Sequence, residues 1–217
     1  PVDNIFDTDW SKVDVMNDAE LTAFVQRTQA IAVAGPFFIN KTVAKKCAEL
    51  NVAYFDFTED VHVTDYIKEV SKNSTVPFVP QCGLAPGAIN IIASDLVSNF
   101  DEVDELKLRV GALTKSPSNN MKYCLSWSTD GLVNEYANDC EIIQNNKRMW
   151  VKGLDGYETI VINGQEYEAF YTSGGVGTLC QTYEGKIKNL NYKTLRYPGH
   201  HQYMKFLFED LDFANNR

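Results

Sequence analysis

A chain of 217 residues can form one large domain or two small ones, each with a hydrophobic core. Its formal net charge of −9 argues against nucleic acid as a partner, because proteins that bind phosphate backbones concentrate Lys and Arg on one face. No apolar run is long enough to cross a bilayer, so we expect no membrane partner. The five cysteines are odd in number and lack C-x-x-C spacing, which predicts no metal site and favours free thiols in a reducing cytoplasm.

The first 79 residues alternate between strand and helix signals. We expect strands at residues 12–15, 30–34, 52–57 and 76–79, and helices after Asn17, at residues 41–50 and at residues 64–70. Asn17 and Glu20 have the spacing of a capping box, while Asn40 can cap the second helix and Asn51 can end it in a left-handed conformation. Residues 30–34 are all apolar, which indicates a fully buried strand. Short links between alternating strands and helices predict parallel strands with right-handed crossovers.

After residue 87 the pattern becomes that of a mostly antiparallel sheet. We expect strands at residues 105–112, 123–127, 140–144, 157–162, 167–171 and 190–195, helices at residues 89–100 and 201–211, and a helical turn from Thr129 or Asp130 to Tyr136. Asn163-Gly164 is a hairpin signal between two of these strands, and Leu211 is among the apolar residues that the last helix turns inward. The chain is therefore predicted to be α/β, with a partial Rossmann-like parallel sheet followed by an α+β domain whose sheet is mainly antiparallel.

Residues 80–87, with the sequence Pro-Gln-Cys-Gly-Leu-Ala-Pro-Gly, join the two halves and are called the 80–87 bend. Two prolines and two glycines between an apolar strand and an apolar helix predict a tight turn that exposes its backbone. Ligands of α/β proteins bind at the carboxyl ends of parallel strands, so this turn is a candidate ligand site. A plain crossover without a ligand explains the composition equally well.

Residues 193–200 bring three cationic or titratable side chains to the end of one strand. Arg196 can bind a carboxylate through two hydrogen bonds and His200 can transfer a proton near neutral pH. Lys193 is expected on the strand face opposite to Arg196, unless the strand ends there. A surface ion pair for Arg196 and a helix-start hydrogen bond for His200 are the alternatives. Thr172 begins a Thr-Ser-Gly-Gly stretch that could bind an anion or be a simple turn.

Other candidates are weaker. Asp56 and Glu59 lie close enough in sequence to pair their carboxylates, although solvated charges explain them better. Residues 174–177 approach a G-x-G-x-x-G fingerprint but have Cys180 in place of its third glycine, so they do not indicate a dinucleotide site. Cys82 has no adjacent cation and is interpreted as a small packing residue.

Six short motifs stand in an order that one family shares. They are residues 34–40 (AGPFFIN), 54–59 (YFDFTE), 83–87 (GLAPG), 127–131 (WSTDG), 168–170 (EAF) and 194–200 (TLRYPGH). In these motifs, which extend over nearly the whole chain, the sequence resembles the saccharopine dehydrogenase and lysine 6-dehydrogenase-like family. The resemblance implies an NAD(P)-dependent oxidoreductase of amino-acid metabolism that acts on the carbon–nitrogen bond of a saccharopine-type or lysine-type substrate.

The resemblance also implies a domain plan and a cofactor. Residues 1–86 would be the remaining part of an NAD(P)-binding domain, residues 87–200 a substrate-binding and dimerisation domain, and residues 201–217 a helix that packs back on the fold. By matching positions, the nicotinamide of NAD or NADP would lie against Gly35, Pro36, Asn40, Gly83 and Pro86. The expected partners are an amino-acid substrate and a second copy of the chain.

For the substrate, the resemblance implies contacts with Thr172, Arg196 and His200. A hydride leaves the carbon that bears the amine as the nitrogen loses a proton, and the imine is then hydrolysed. Lys193 and His200 are the candidates for the proton transfer.

Two departures from the family limit what can be transferred. Ala85 and Val110 stand where fungal members have an Asp and a Cys, so the acid–base roles of those residues do not apply, and the chain is closer to the bacterial branch. The glycine-rich first turn is also absent, which favours a fragment that is inactive alone over a protein that has lost its cofactor. A non-catalytic scaffold of the same fold and a polyamine enzyme of the carboxynorspermidine dehydrogenase type remain alternatives.

Overall fold

The computed structural model describes residues 10–213. Its helices are α1 (Asp18–Val25), α2 (Phe37–Leu50), α3 (Val61–Val70), α4 (Ala88–Val97), α5 (Thr129–Ala137), α6 (Leu179–Tyr183) and α7 (His200–Lys205). Its strands are β1 (Ala30–Val33), β2 (Ala53–Asp56), β3 (Phe78–Val79), β4 (Val103–Val110), β5 (Cys140–Gln144), β6 (Lys147–Val151), β7 (Glu158–Ile162), β8 (Gln165–Tyr171) and β9 (Ile187–Arg196). None of the helices among these residues combines the length and the apolar character that a membrane span requires.

Within residues 10–213 the first sheet has three parallel strands in the order β1-β2-β3, as the alternation of strands and helices predicts. Apolar side chains of α1, α2 and α3 pack on it, around the fully buried Tyr54 and Cys47. Asn17 accepts hydrogen bonds from the amides of Ala19 and Glu20, so it caps α1 as predicted. Asn51 ends α2 with φ 54°, which confirms the left-handed cap.

Three expectations for this half are wrong. Residues 12–15 form no strand. Helix α2 begins at Phe37, with Pro36 at its N-cap, so Asn40 lies inside the first turn and does not cap the helix. Only Val33 is buried in β1, because β1 is an edge strand of the described sheet and the other face of the strand is not covered.

The described part of the chain forms a second sheet of six strands, ordered β6-β5-β9-β8-β7, in which β4 also pairs with β9. All pairs are antiparallel except β4–β9, which is parallel. The Asn163-Gly164 turn joins β7 to β8 with positive φ at both residues, which confirms the hairpin prediction. Residues 123–127 form no strand, and Ser128, one residue before the expected caps, accepts the capping hydrogen bond of α5. Strand β6 and helix α6 were not expected.

The chain after β9 is helical but not one continuous α-helix. Helix α7 is followed by a π-helical turn, Phe206–Asp210. Met204 is buried, with Leu207 and Phe208 packed against its cluster, whereas Leu211 is 44% exposed and does not face inward. The predicted domain boundaries stay predictions, and their outer segments, residues 1–9 and 214–217, lie outside the described residues.

Candidate functional site

A cleft of about 830 Å³ is lined by residues of both sheets. The first sheet contributes the turn after β1, which includes Gly35, and the segment after β2. The 80–87 bend contributes Gly83, and the second sheet contributes Arg196 at the end of β9. The bend and the Arg196 corner therefore open onto one shared cavity, at the carboxyl ends of the parallel strands where α/β proteins bind ligands.

The 80–87 bend closes on itself through a bridge between Gly83 and Gly87. Gly87 has φ 136°, and a Cβ at this position would collide with the carbonyl oxygen of Gly83, so the turn requires glycine. The amide of Gly87 donates to Asn90 Oδ1 at 2.6 Å, and Asn90 Nδ2 donates to the carbonyl of Val176 at 2.8 Å. These bonds tie the bend to the loop after β8.

Four of the five residues predicted on the cofactor side line this cleft: Gly35, Pro36, Asn40 and Gly83. The fifth, Pro86, is not among the lining residues. Asn40 is only 2% exposed, and its Oδ1 has no hydrogen-bond partner among the described residues. A buried amide oxygen without a partner costs stability, so it indicates a position where a bound ligand supplies the donor.

Arg196 is 4% exposed, so the surface ion pair considered from the sequence is wrong. Its Nε donates to Tyr136 Oη at 2.9 Å, and its Nη1 donates to Thr194 Oγ1 at 2.6 Å and to a backbone carbonyl at 3.0 Å. Its Nη2 lies 3.5 Å from Glu135 Oε2. Because protein atoms occupy Nε and Nη1, Nη2 is the guanidinium nitrogen with donor capacity for a ligand.

Two carboxyl groups of the cleft lie close to Arg196. Burial raises the pKa of Glu59 to about 8, helped by the negative charges of Glu135 and Asp60 and opposed by Arg196. Burial raises the pKa of Glu135 as well, against Arg196 and the hydroxyl groups of Thr172 and Thr194. Glu135 contacts the guanidinium directly and Glu59 does not, so Glu135 is the better stabilised of the two as an anion.

His200 lies behind the cleft wall, 1% exposed, and is not one of the lining residues. Its Nδ1 is 3.0 Å from the carbonyl oxygen of Met121, which can only accept, so Nδ1 carries the proton. Its Nε2 then accepts from Tyr136 Oη, at 3.0 Å. Burial lowers the pKa of His200 to about 4. The neutral ring orients Tyr136 and through it Arg196, so His200 does not face the cleft, and its substrate-contact and proton-transfer roles stay predictions.

Lys193 lies on the opposite face of β9 and outside the cleft. Its Nζ donates to the carbonyl of Gly156 at 2.6 Å and is 3.2 Å from Glu158 Oε2, while the ring of Tyr171 lies 5.0 Å away. Burial is the largest influence on its pKa, which is lowered. The alternation of side chains along a strand separates Lys193 from Arg196, so Lys193 does not face the cleft and its catalytic role stays a prediction.

Thr172 is buried next to Glu135 and does not line the cleft, so a substrate in the cleft would not touch it directly. Asp56 is fully buried and accepts hydrogen bonds from the Tyr54 hydroxyl and from the amides of Thr58 and Gln81, at 2.8 to 3.0 Å. It is therefore a structural carboxylate, and the solvated charge expected for it is wrong.

The carboxyl cluster beside Arg196 is not evident from the sequence. The sequence suggests for Glu59 a pairing with Asp56 or a solvated charge, and it gives no indication for Glu135. The motif Tyr-Phe-Asp-Phe-Thr-Glu after β2 could have pointed to Glu59. No local signal marks Glu135, because its contact with Arg196 depends on how α5 packs against β9.

Comparisons with known proteins agree with the fold. Residues 83–217 match the family model of the Saccharopine dehydrogenase C-terminal domain. An alpha-aminoadipic semialdehyde synthase of Arabidopsis thaliana is 22% identical over 166 residues, which are 73% of this chain and 15% of the plant protein. The apo structure of saccharopine dehydrogenase (L-Glu forming) from Saccharomyces cerevisiae superposes with a TM-score of 0.72 at 16% identity, over 94% of this chain and 48% of the yeast chain.

The chain thus spans about half of the yeast protein and a smaller share of the plant protein. The structural likeness supports an α/β fold in which a parallel sheet is combined with a mainly antiparallel one. The family match covers more than half of the 217 residues. The chain belongs to the saccharopine dehydrogenase family, through that family's C-terminal domain.

Proposed function

We propose that this chain forms the substrate cleft of an NAD(P)-dependent oxidoreductase that acts on the carbon–nitrogen bond of an amino acid. The observation that carries the proposal is the shared cleft, which joins the turn after β1 and the 80–87 bend to Arg196. When bound, the nicotinamide ring accepts the hydride from the substrate carbon. The family, and the enzymes whose names the two similar proteins bear, support this reaction class.

The residues on the parallel-sheet side suit the redox end of a nicotinamide nucleotide. Gly35, Pro36 and Gly83 bring backbone and small groups to the cleft wall, which allows a flat ring to approach closely. The unpartnered Oδ1 of Asn40 can accept a hydrogen bond from an amide such as the nicotinamide carboxamide. Pro86 is left out of this set because it does not line the cleft.

On the opposite wall, Arg196 binds the substrate carboxylate. Only Nη2 is available, so the contact is a single charge-assisted hydrogen bond rather than a two-point grip. Tyr136 and His200 keep the guanidinium in place by occupying its Nε side. Closely packed side chains around Arg196 exclude water, which strengthens the attraction for a carboxylate.

The test has two stages. Nucleotide binding is measured by fluorescence titration with NADH and NADPH, on the 217-residue chain and on the product of the complete reading frame. Turnover is then measured with lysine, saccharopine and carboxynorspermidine. We expect binding of one nucleotide and turnover of an amino-acid substrate by the complete product. If that product binds neither nucleotide, a non-catalytic scaffold of the same fold is the correct function. Turnover of carboxynorspermidine alone indicates a polyamine enzyme.

Arg196→Lys tests the substrate contact. We expect KM to rise at least about tenfold while the nucleotide Kd changes less than about twofold, because the single Nη2 contact is lost and the charge is kept. Arg109→Lys is the matched control: Arg109 is also partly buried and ion-paired, to Glu158 at 2.6 Å, but it does not line the cleft. Equal effects of the two substitutions would contradict the role of Arg196.

The proposal includes a cytoplasmic homodimer. The five cysteines, all within the described residues, are free, as in a reducing compartment. Strand β7 is at the edge of the second sheet and exposes Val161 and Ile162, so it offers an apolar edge for a second copy. Light scattering of the wild type and of Val161→Lys tests the dimer, which the lysine should dissociate.

A further inference from the structure

The proton-transfer group of the proposed reaction must lie in the cleft, and neither Lys193 nor His200 does. The titratable side chains that line the cleft are Glu59, Asp60, His62, Tyr123, Glu135, Asp139, Tyr192 and Arg196. A proton-transfer group has to change its charge near neutral pH and be free of permanent partners. Most members of this set fail one of these conditions.

Arg196 stays charged, and Glu135 is its counter-ion. Asp60 caps α3 through a 2.7 Å hydrogen bond from the amide of Val63, so its carboxylate is committed to the fold. Burial raises the pKa of Tyr192 far above neutrality. The hydroxyl oxygen of Tyr123 accepts a 2.9 Å hydrogen bond from Trp127 Nε1, so Tyr123 already has a protein partner. His62 and Asp139 are exposed, at the outer part of the cleft, where solvent competes for a substrate proton.

Glu59 differs from all of these in its surroundings. It follows β2 in the segment that ends at α3, and one carboxyl oxygen, Oε1, is buried without a hydrogen-bond partner among the described residues. Gly174 holds the segment from the other side: its φ is 87°, and a Cβ there would lie 2.7 Å from the backbone oxygen of Glu59 and 2.9 Å from its Cβ. The position of Glu59 is thus constrained by backbone packing while its carboxyl group is left unpaired.

The charged groups around Glu59 come from three elements. Asp60 is its neighbour in sequence, Glu135 belongs to α5, and Arg196 belongs to β9. The negative charge of Glu59 is also one of the influences that raise the pKa of Tyr192 on β9. Burial is the main reason that the pKa of Glu59 is raised, and the two neighbouring carboxylates, which outnumber the one guanidinium, raise it further.

We propose that Glu59 is the residue that exchanges a proton with the nitrogen of the substrate. This assignment rests on the proposed function, and it names the acid–base residue that the function requires. Glu59 lines the same cleft as Arg196, whose Nη2 would hold the substrate carboxylate. The groups that would contact the carboxylate and the nitrogen of an amino acid therefore line one cavity. Because Oε1 has no hydrogen-bond partner among the described residues, no protein group competes with the substrate nitrogen for the Glu59 carboxyl group.

The step balances in both directions. In the reducing direction, hydride from the reduced nicotinamide nucleotide adds to the imine carbon while the Glu59 carboxyl group gives its proton to the nitrogen, which leaves an amine and a carboxylate. In the oxidising direction, the Glu59 carboxylate takes the proton from the nitrogen as the carbon loses hydride to the oxidised nucleotide. Water then adds to the C=N bond and the amine departs, which leaves a carbonyl group.

The protonation state is tested without substrate or nucleotide. The 217-residue chain is labelled with ¹³C-glutamate, and its side-chain carboxyl signals are followed from about pH 4 to 10. Burial raises the pKa of both Glu59 and Glu135, and we expect the signal that titrates near pH 8 to disappear in Glu59→Gln and to remain in Glu69→Gln. Glu69 is the matched control, since it is an exposed residue of neighbouring α3 whose only described ion pair is with Lys72. If every signal titrates below about pH 6, as ordinary glutamates do, the proposal is wrong.

The catalytic role is tested on the product of the complete reading frame. For amine oxidation by the wild type, we expect kcat/KM to rise with pH up to about 8. Glu59→Gln should lower kcat/KM roughly 10²- to 10⁴-fold and abolish its rise with pH, while the nucleotide Kd stays within about twofold of the wild-type value. Glu59→Asp should restore part of the pH dependence. The assignment to Glu59 is wrong if Glu59→Gln keeps the full rate, or if the pH dependence is lost in His62→Gln and kept in Glu59→Gln. Failure of the wild type to bind any nucleotide would refute the proposed function itself.

Discussion

Replacing Arg196 by Met is the most informative stability experiment on this fold. The substitution keeps a long side chain but removes the charge that faces Glu135 at 3.5 Å, together with the hydrogen bonds to Tyr136 and Thr194. Both members of the ion pair are less than a tenth exposed, so Glu135 would be left as an unpaired buried anion. Removing one partner of such a pair costs about 3–5 kcal/mol of the free energy of unfolding.

The cost depends on pH in a direction that the structure predicts. Without the guanidinium, the pKa of Glu135, already raised by burial, rises further, and the carboxyl group becomes neutral when the pH is low enough. The free energy of unfolding that Arg196→Met loses relative to the wild type should therefore be larger at about pH 8 than at about pH 5.5, by about 1–2 kcal/mol. In Glu135→Gln/Arg196→Met neither member of this ion pair is charged, and we expect the double variant to regain at least about 2 kcal/mol over Arg196→Met.

Urea denaturation at both pH values, followed by far-UV circular dichroism, measures these differences. The comparison is made through the midpoint and the m-value of each variant beside the wild type. The reasoning is refuted if Arg196→Met has the same deficit at both pH values and the double variant is no more stable than Arg196→Met. Such a result would mean that Glu135 is already neutral beside Arg196 in the wild type.

Three further substitutions test other parts of the structure. His200→Gln should make the free energy of unfolding less dependent on pH between about pH 7 and 4. The pKa of His200 in the folded protein, about 4, is below the ordinary 6.5, so the wild type loses up to about 3 kcal/mol of stability as the pH falls through this range. Urea midpoints of the variant and the wild type at each pH measure the difference. Asn51→Ala should lower the free energy of unfolding by about 1–2 kcal/mol because φ is 54° at this position, whereas Asn51→Gly, which tolerates the left-handed conformation, should lose less; chemical denaturation compares the two. Lys193→Met should keep kcat within about threefold and lower thermal stability, because Lys193 pairs with Glu158 outside the cleft; a loss of kcat near that of Glu59→Gln would restore its catalytic role.

Several residues that the sequence predicted for the site line the cleft, and local geometry explains their positions. Gly35, Pro36 and Gly83 lie at turns between a strand and a helix, and such turns meet at one edge of a parallel sheet whatever the rest of the chain does. Arg196 was found because it ends a strand whose alternation is visible in the sequence. The same alternation correctly placed Lys193 on the other face, although the resemblance to the family argued for a catalytic lysine.

The acid–base assignment could not be obtained from the sequence, because it depends on distances between segments far apart in the chain. Glu59 and Glu135 are 76 positions apart, and neither has an unusual neighbour in sequence. His200 looked like a proton carrier because an isolated histidine titrates near neutral pH. Burial against Tyr136 and the carbonyl of Met121 turned it into a neutral positioning residue.

By itself the sequence determined the alternation of strands and helices, the change to an antiparallel sheet after residue 87, the turn chemistry at Asn51, Gly87 and Asn163-Gly164, and the order of motifs that identifies the family. These features follow from backbone preferences and from the period of apolar residues, which act over a few positions. The tertiary structure alone decided which ionisable groups share a low-dielectric cleft. A pKa and an ion pair depend on burial and on charges brought close by folding, and local sequence contains neither.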